Sequence, residues 1–322
     1  MLGAPRARRQ SVYARIAAPC FIDLRPLPGQ IRTPTVEAPA AGCRPWNHTS
    51  GVRARPSLVA FADMESRTIH VGATALHVGV TGHGPDVVVL TGGPGCVQYL
   101  ERDDIAPRDH RAWYPEPRGV GRSGGGPHTM EEAITDLECI RAAVGVTSWI
   151  VVGHSWGSDL AVRYAVEHPE AVAAVVGIAG RGPQRDRTWS EAYQAGKATE
   201  PVVDIDWVPE VHAALSDSFT DWIHRPQLWS GLAACGVPMH LIAAGDDIRP
   251  SWPLAQIAAL VPRGRFSTVP HVPHDFWFTH PEVWTRTVTN ACAASTARES
   301  AASHLFADRR GSSPPGLSSA GG

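Results

Sequence analysis

The sequence predicts an α/β protein built on a mostly parallel sheet, flanked by helices on both faces. Three observations predict it. Short apolar runs alternate with amphipathic helical segments along the middle of the chain. Runs such as Trp149–Val152 and Val172–Ile178 are apolar at almost every position, the pattern of strands buried on both faces. The helical segment Met130–Val144 places Ile134, Leu137, Ile140 and Val144 on a single stripe.

Taken in order, Arg67–Val71 and Ala75–Val80 read as a hairpin, and Val87–Leu90 as a short apolar strand ending in glycines. A further short strand is expected just before Arg118, and helix Met130–Val144 opens on Thr129-Met-Glu-Glu132, the spacing of a capping box. Strand Trp149–Val152, helix Trp156–Glu167 and strand Val172–Ile178 follow. The stretch 181–234, carrying Trp189, Trp207, Trp222 and Trp229, breaks the alternation and reads as a short inserted lid. Its tryptophans read equally as an aromatic substrate wall or as the core of a small helical insert. Strand Met239–Ala244, helix Pro253–Leu260, strand Arg265–Val269 and a helix from about His280 complete the pattern. The domain is therefore expected over 64–292, between a basic, unpatterned leader (1–63) and a Ser/Gly/Ala/Pro-rich tail (293–322) expected to be disordered.

Charge is divided along the chain. Residues 1–63 carry nine Arg, no Lys and three acids, a net of +6, so the other 259 residues carry −8 of the total −2. An acidic body argues against nucleic-acid binding. No apolar run approaches the length that spans a bilayer, and the N-terminal segment lacks the apolar stretch of a secretory signal. The leader reads as a consequence of start-site choice in preference to a transit peptide. Six cysteines without a C-x-x-C pair fit a reduced, cytoplasmic compartment and no structural metal.

The chemistry concentrates at strand ends. In Gly153-His-Ser-Trp-Gly157 a serine stands between an apolar strand and a helix, on a turn so tight that small residues must flank it. Ser155 is thereby the candidate nucleophile, placed at a helix N-terminus that favours negative charge. A serine hydroxyl needs a base, and the base needs an orienting acid. Gly245-Asp-Asp offers Asp246 or Asp247 after one strand, and His271-Val-Pro-His274 offers His271 or His274 after the next. Spacing leaves both pairs open. Gly92 and Gly93, after strand Val87–Leu90, allow a backbone N–H to approach a substrate beside that of Trp156. Cys96 directly follows that loop and is a candidate pocket thiol or a small buried filler. No Walker-type loop or H-E-x-x-H is present, so no cofactor or metal is expected. Arg118-Gly-Val-Gly-Arg-Ser123 reads as a tight loop rather than a phosphate site.

Gly92-Gly-Pro-Gly95, Pro117-Arg-Gly-Val-Gly-Arg-Ser123, Gly153-His-Ser-Trp-Gly157, Asp247-Ile-Arg-Pro250 and His274-Asp-Phe-Trp277 together resemble the α/β-hydrolase superfamily, and within it the proline iminopeptidase-like branch. The resemblance spans roughly 64–292. It implies a Ser155–His274–Asp247 triad, with the N–H groups of Gly93 and Trp156 as oxyanion donors and Gly92, Cys96 and Glu191 near the substrate. The chain departs from the branch at Thr91, where His is usual, at Glu116-Pro117, where Asp-Gln is usual, and in the shortness of its insert. Such enzymes bind a substrate amino group through acids of a larger cap, for which Glu191, Glu200 and Glu210 are the candidates here. The implied function is hydrolysis of an ester or amide of a small molecule or short peptide. A carboxylesterase or lactonase is the alternative within the enzyme class, and a non-catalytic ligand-binding protein of this fold the alternative outside it.

Overall fold

The computed structural model describes residues 20–22, 64–183, 187–201 and 203–295. Its strands are β1 (Cys20–Ile22), β2 (Glu65–Val71), β3 (Thr74–Thr81), β4 (Asp86–Leu90), β5 (Arg111–Pro115), β6 (Trp149–His154), β7 (Val172–Ile178), β8 (Met239–Ala244) and β9 (Gly264–Val269). They form one sheet in the order β1-β2-β3-β5-β4-β6-β7-β8-β9. The first three run antiparallel, β3 pairs antiparallel with β5, and every pairing from β5 to β9 is parallel. The expected hairpin is the β2–β3 pair, turning at Gly72 with φ +59°.

The helices are α1 (Met130–Ala143), α2 (Trp156–Glu167), α3 (Arg187–Gly196), α4 (Pro209–Ile223), α5 (Leu228–Ala234), α6 (Trp252–Leu260), α7 (Phe276–Thr279) and α8 (281–295). The capping box at the start of α1 is half formed: Thr129 Oγ1 accepts the N–H of Glu132 at 3.1 Å. Helices α3, α4 and α5 occupy the stretch between β7 and β8.

The two-residue period of the strands builds two cores. Val88, Leu90, Val151, Val175 and Leu241 point to one face, where they meet α1, α2, α5 and α6. Their chain neighbours Val87, Val89, Ile150, Val152, Val176 and Ile242 point to the other, against Phe276, Trp277, Trp284 and Val288 of α7 and α8. Burial on both faces is why these strands lack polar alternation.

The last helix is described through 295, beyond the expected domain end at 292, and Ala291 and Cys292 pack into the core. The leader expected over 1–63 lies outside the described residues except for β1, an edge strand that pairs Cys20 with Val71 and that no periodicity announced. The tail beyond 295 also lies outside them. Among the described residues no helix is long and apolar enough to cross a membrane.

The strand order fixes where a site can form. From β4 the chain moves outward to β5, then returns to the opposite side of β4 as β6. The loops leaving the carboxyl ends of β4 and β6 therefore diverge and leave a crevice, the position where open parallel sheets bind ligands. Leu90 and Gly153 are register partners at that point, so the glycine loop and Ser155 emerge side by side.

Candidate active site

Ser155 holds φ +54° and ψ −124°, outside the regions a serine ordinarily occupies. The turn is fixed by the N–H of Ser155 on the carbonyl of Ile178 at 2.8 Å and by the N–H of Ser158 on the Ser155 carbonyl at 2.9 Å. Helix α2 starts at the next residue, Trp156, so the serine faces the orphan N–H groups of a helix N-terminus.

Gly92 lies against this serine. A Cβ built on it would stand 2.7 Å from Ser155 Cβ and 2.6 Å from the Tyr99 hydroxyl, so only glycine allows the approach. Gly93, with φ +122°, lines a cavity of about 360 Å³ together with Ser155 and Trp156.

The two doublets that spacing left open are physically unequal. Asp246 and His271 are exposed, whereas His274 is 6 % exposed and its Nδ1 lies 2.6 Å from Asp247 Oδ2. The same carboxylate accepts the N–H of Arg249 at 2.9 Å and its guanidinium at 3.1 Å. Burial alone would raise the Asp247 carboxyl, but the charge of His274, their hydrogen bond and Arg249 together hold it below its ordinary value. An ionised Asp247 keeps the His274 proton on Nδ1 and leaves the Nε2 lone pair available as a base. The His274 ring centroid is 4.9 Å from that of His154, the residue preceding Ser155.

A second buried network, which the motif pattern did not disclose, lies behind these residues. The N–H of Gly92 donates to the Tyr99 hydroxyl at 2.8 Å, and that hydroxyl lies 2.6 Å from His154 Nδ1. His154 Nε2 lies 3.1 Å from the carbonyl of His274. Burial, then the neighbouring charge of Asp275, push the Tyr99 phenol far up, so it keeps its proton and donates it to His154. His154 is fully buried, and burial together with the charge of His274 holds it well below the ordinary imidazole range. Its neutral tautomer then carries the proton on Nε2 and gives it to the His274 carbonyl. Among the described residues, His154, His274 and Asp275 are also the grouping compact enough to hold a metal ion. Both His154 nitrogens and His274 Nδ1 are instead engaged by hydrogen bonds.

Other candidates fall elsewhere. Cys96 sits beside Gly93, and burial followed by the charge of Asp275 pushes its thiol up to about 11, which keeps it protonated and unreactive. Its segment is stitched to the stretch before α4: Val97 N–H bonds the Asp206 carbonyl at 3.0 Å and Val208 N–H the Gly95 carbonyl at 2.9 Å. Glu191 does not line the cavity. It is exposed and paired with Arg187 at 2.6 Å, because α3 turns that face to solvent. Glu200 is bound to Arg249, and Glu210 is exposed. Of the tryptophans in this stretch, Trp189 lines the cavity and Trp222 packs into the main core, while Trp207 and Trp229 are exposed. The cations of the glycine-arginine loop are paired with carboxylates, the buried Arg118 with Asp136 and Glu132, and the exposed Arg122 with Glu116 and Glu101. That pairing suits a structural loop and leaves little charge for a phosphate.

Residues 85–201 match the family model of the alpha/beta hydrolase fold. The chain is 34 % identical over 180 residues to the proline iminopeptidase of Xylella fastidiosa, across 48 % of this chain and 56 % of that protein. It is 38 % identical over 104 residues to a probable proline iminopeptidase of Streptomyces coelicolor, across 29 % and 32 % of the two chains. The matched stretch thus spans little more than half of the first relative and a third of the second. Among solved structures, the proline iminopeptidase of Mycobacterium smegmatis superposes with a TM-score of 0.57 at 18 % identity, covering 73 % of this chain and all of that one. A thermophilic esterase from Thermogutta terrifontis superposes equally well, at 0.57 and 19 % identity over 73 % and 99 % of the chains.

Proposed function

We propose that this chain, which has the α/β-hydrolase fold and resembles the proline iminopeptidases, is a serine hydrolase that cleaves an ester or amide of a small substrate through an acyl-enzyme. The observation that carries this reading is the 2.6 Å contact between His274 and Asp247, at strand ends that also bring Ser155 to the wall of a cavity. Ser155 attacks the carbonyl while His274 Nε2 takes its proton and later delivers it to the leaving group. Asp247 holds the imidazole in that tautomer and stabilises its charged form. The N–H groups of Gly93 and Trp156 receive the oxyanion of the tetrahedral intermediate. Water activated by His274 then releases the acyl group.

Ester cleavage is favoured over release of an N-terminal proline. The acids that would hold a substrate amino group, Glu191, Glu200 and Glu210, are respectively paired at the surface, bound to Arg249 and exposed. Comparing short acyl esters with prolyl arylamides on the purified protein separates the two readings, and faster prolyl-arylamide turnover reverses this preference.

The nucleophile is tested with a fluorophosphonate probe. Ser155→Ala is expected to abolish labelling and lower turnover by about 10⁴-fold or more. Labelling that survives in this variant removes Ser155 from the mechanism. Asp247→Asn is expected to be far more damaging than Asp246→Asn, and equal effects exclude Asp247 as the orienting acid.

A further inference from the structure

The stretch inserted between β7 and β8 grips the loop that carries Gly93. Val97 N–H bonds the Asp206 carbonyl, Cys96 and Trp207 form an isolated antiparallel bridge, and Val208 N–H bonds the Gly95 carbonyl. Helix α4 then starts directly on the loop: a Cβ built on Gly95 would stand 2.8 Å from the backbone nitrogen of His212. His212 adds its side chain to this contact, with Nδ1 2.8 Å from the Pro94 carbonyl. A carbonyl only accepts, so Nδ1 carries the ring proton and donates it. The ring of Trp207 meets that of His212 nearly edge-on, with centroids 5.3 Å apart.

These bonds bracket one residue. On one side of Gly93 the Gly92 N–H is held by the Tyr99 hydroxyl, and on the other the carbonyls of Pro94 and Gly95 are held by His212 and Val208. The N–H of Gly93 has no hydrogen-bond partner among the described residues. The same helix reaches the second proposed donor. Val211 and Leu215 form a small buried cluster with Val120, and Trp156, Val97 and Val208 pack against it. Helix α4 is braced in turn on α1, where the N–H of Met130 bonds Ser218 Oγ at 2.9 Å.

We infer that His212 is a positioning residue for the oxyanion loop, and that α4 belongs to the framework of the active site. This rests on the serine-hydrolase reading above and adds to it a residue outside the triad and the two donors. An oxyanion donor works by being fixed in place before charge develops. Without the Nδ1–H bond, the chain on the downstream side of Gly93 loses its side-chain anchor, and a misplacement of about 1 Å costs about 10²-fold in rate.

The test compares His212→Phe, which keeps a ring and removes the donor, with His212→Asn, whose amide nitrogen takes the place of Nδ1. In the full-length protein, His212→Phe is expected to lower kcat for p-nitrophenyl acetate about 10- to 100-fold and to change KM less than about threefold. His212→Asn is expected to stay within about fivefold of the wild-type kcat. Inhibition by 1,1,1-trifluoro-2-hexanone reads the oxyanion directly. Ser155 Oγ adds to its carbonyl carbon, the serine proton passes to His274, and the π pair moves to the carbonyl oxygen. Its inhibition constant is expected to rise in His212→Phe by about the factor that kcat falls. A His212→Phe enzyme with kcat within about threefold of wild type overturns the inference, as does an equal loss in His212→Asn, or a fall in kcat without weaker inhibition. If His212→Phe does not fold, ¹⁵N shifts of the wild-type imidazole and the kcat of His212→Asn decide: a proton on Nε2, or a loss of about 100-fold in His212→Asn, overturns it. A wild-type protein that the ketone does not inhibit and a fluorophosphonate does not label is a different outcome, which overturns the serine-hydrolase reading itself.

Discussion

The hydroxyl of Tyr99 lies 2.6 Å from His154 Nδ1, a bond that ties the loop after β4 to the end of β6. Gly92 N–H binds the same hydroxyl, and His154 Nε2 reaches the His274 carbonyl, so the network runs on to the loop after β9 with one proton direction at each step. The strut connects the backbone beside Gly93 to the backbone of His274, the two groups whose separation the proposed reaction depends on.

Tyr99→Phe keeps the ring, which stacks on Trp277 at 4.7 Å, and removes only the hydroxyl. Gly92 N–H and His154 Nδ1 then lose their shared partner. The expected cost is about 1–3 kcal/mol, read from the urea midpoint. Loss of the strut is also expected to lower kcat by about 10- to 100-fold, through a misplaced oxyanion loop. A variant with unchanged kcat shows that the loops keep their places without it.

His154 gives a pH signature with a defined sign. Burial and the charge of His274 depress its folded-state pKa below the ordinary imidazole value of about 6.5. Below that pH the unfolded chain binds a proton that the folded chain refuses, so the contribution of His154 to stability is lost as pH falls. Asp159 acts in the opposite sense: its raised carboxyl makes the folded form bind the extra proton, and stability is lost as pH rises toward about 6. The wild-type profile therefore sums two opposed slopes. Comparing wild type with His154→Gln cancels the Asp159 contribution. The stability advantage of the wild type over this variant is expected to shrink between pH 7 and pH 5, as measured by urea unfolding. A constant difference shows that His154 is not depressed.

Gly157 sets two effects of different size against each other. Alanine improves helix propensity by roughly 1 kcal/mol over glycine. Here, however, its Cβ would stand 2.5 Å from the carbonyl oxygens of Leu90 and Thr91, backbone atoms that cannot swing away. The clash is expected to win by more than about 3 kcal/mol, seen as a lowered Tm or loss of soluble protein. A Gly157→Ala protein as stable as the wild type shows that α2 does not pack this closely on β4.

Local pattern was enough to read most of the fold. Helix Trp156–Glu167 and strands Val172–Ile178 and Met239–Ala244 occupy the residues that periodicity assigns them. Burial on both sheet faces forces apolar runs, and amphipathic stripes follow from facing a core on one side. The strand Cys20–Ile22 was not legible, because three residues pairing at a sheet edge leave no period to detect. The choice of Asp247 over Asp246 and His274 over His271 was likewise closed to spacing, since each pair offers the same chemistry at neighbouring positions. Resemblance to a family selects one member of each, and the structure shows the physical difference in burial and contact.

The sequence by itself determined the alternation of strands and helices, the serine on a tight strand-to-helix turn, and an acid and a base after the last two strands. Those features are local: each depends on residues within a few positions of one another. Only the tertiary structure decided which side chains share the cavity. Arg181, Trp189, Tyr193 and Arg249 span 69 positions and share no motif, yet the sheet order and the return of α3 stack them into one wall. Glu191, on the same helix, is turned to solvent by the 100° step per residue that carries its neighbours inward. Contact between distant segments is set by topology and helix phase, and neither is written in the spacing of a motif.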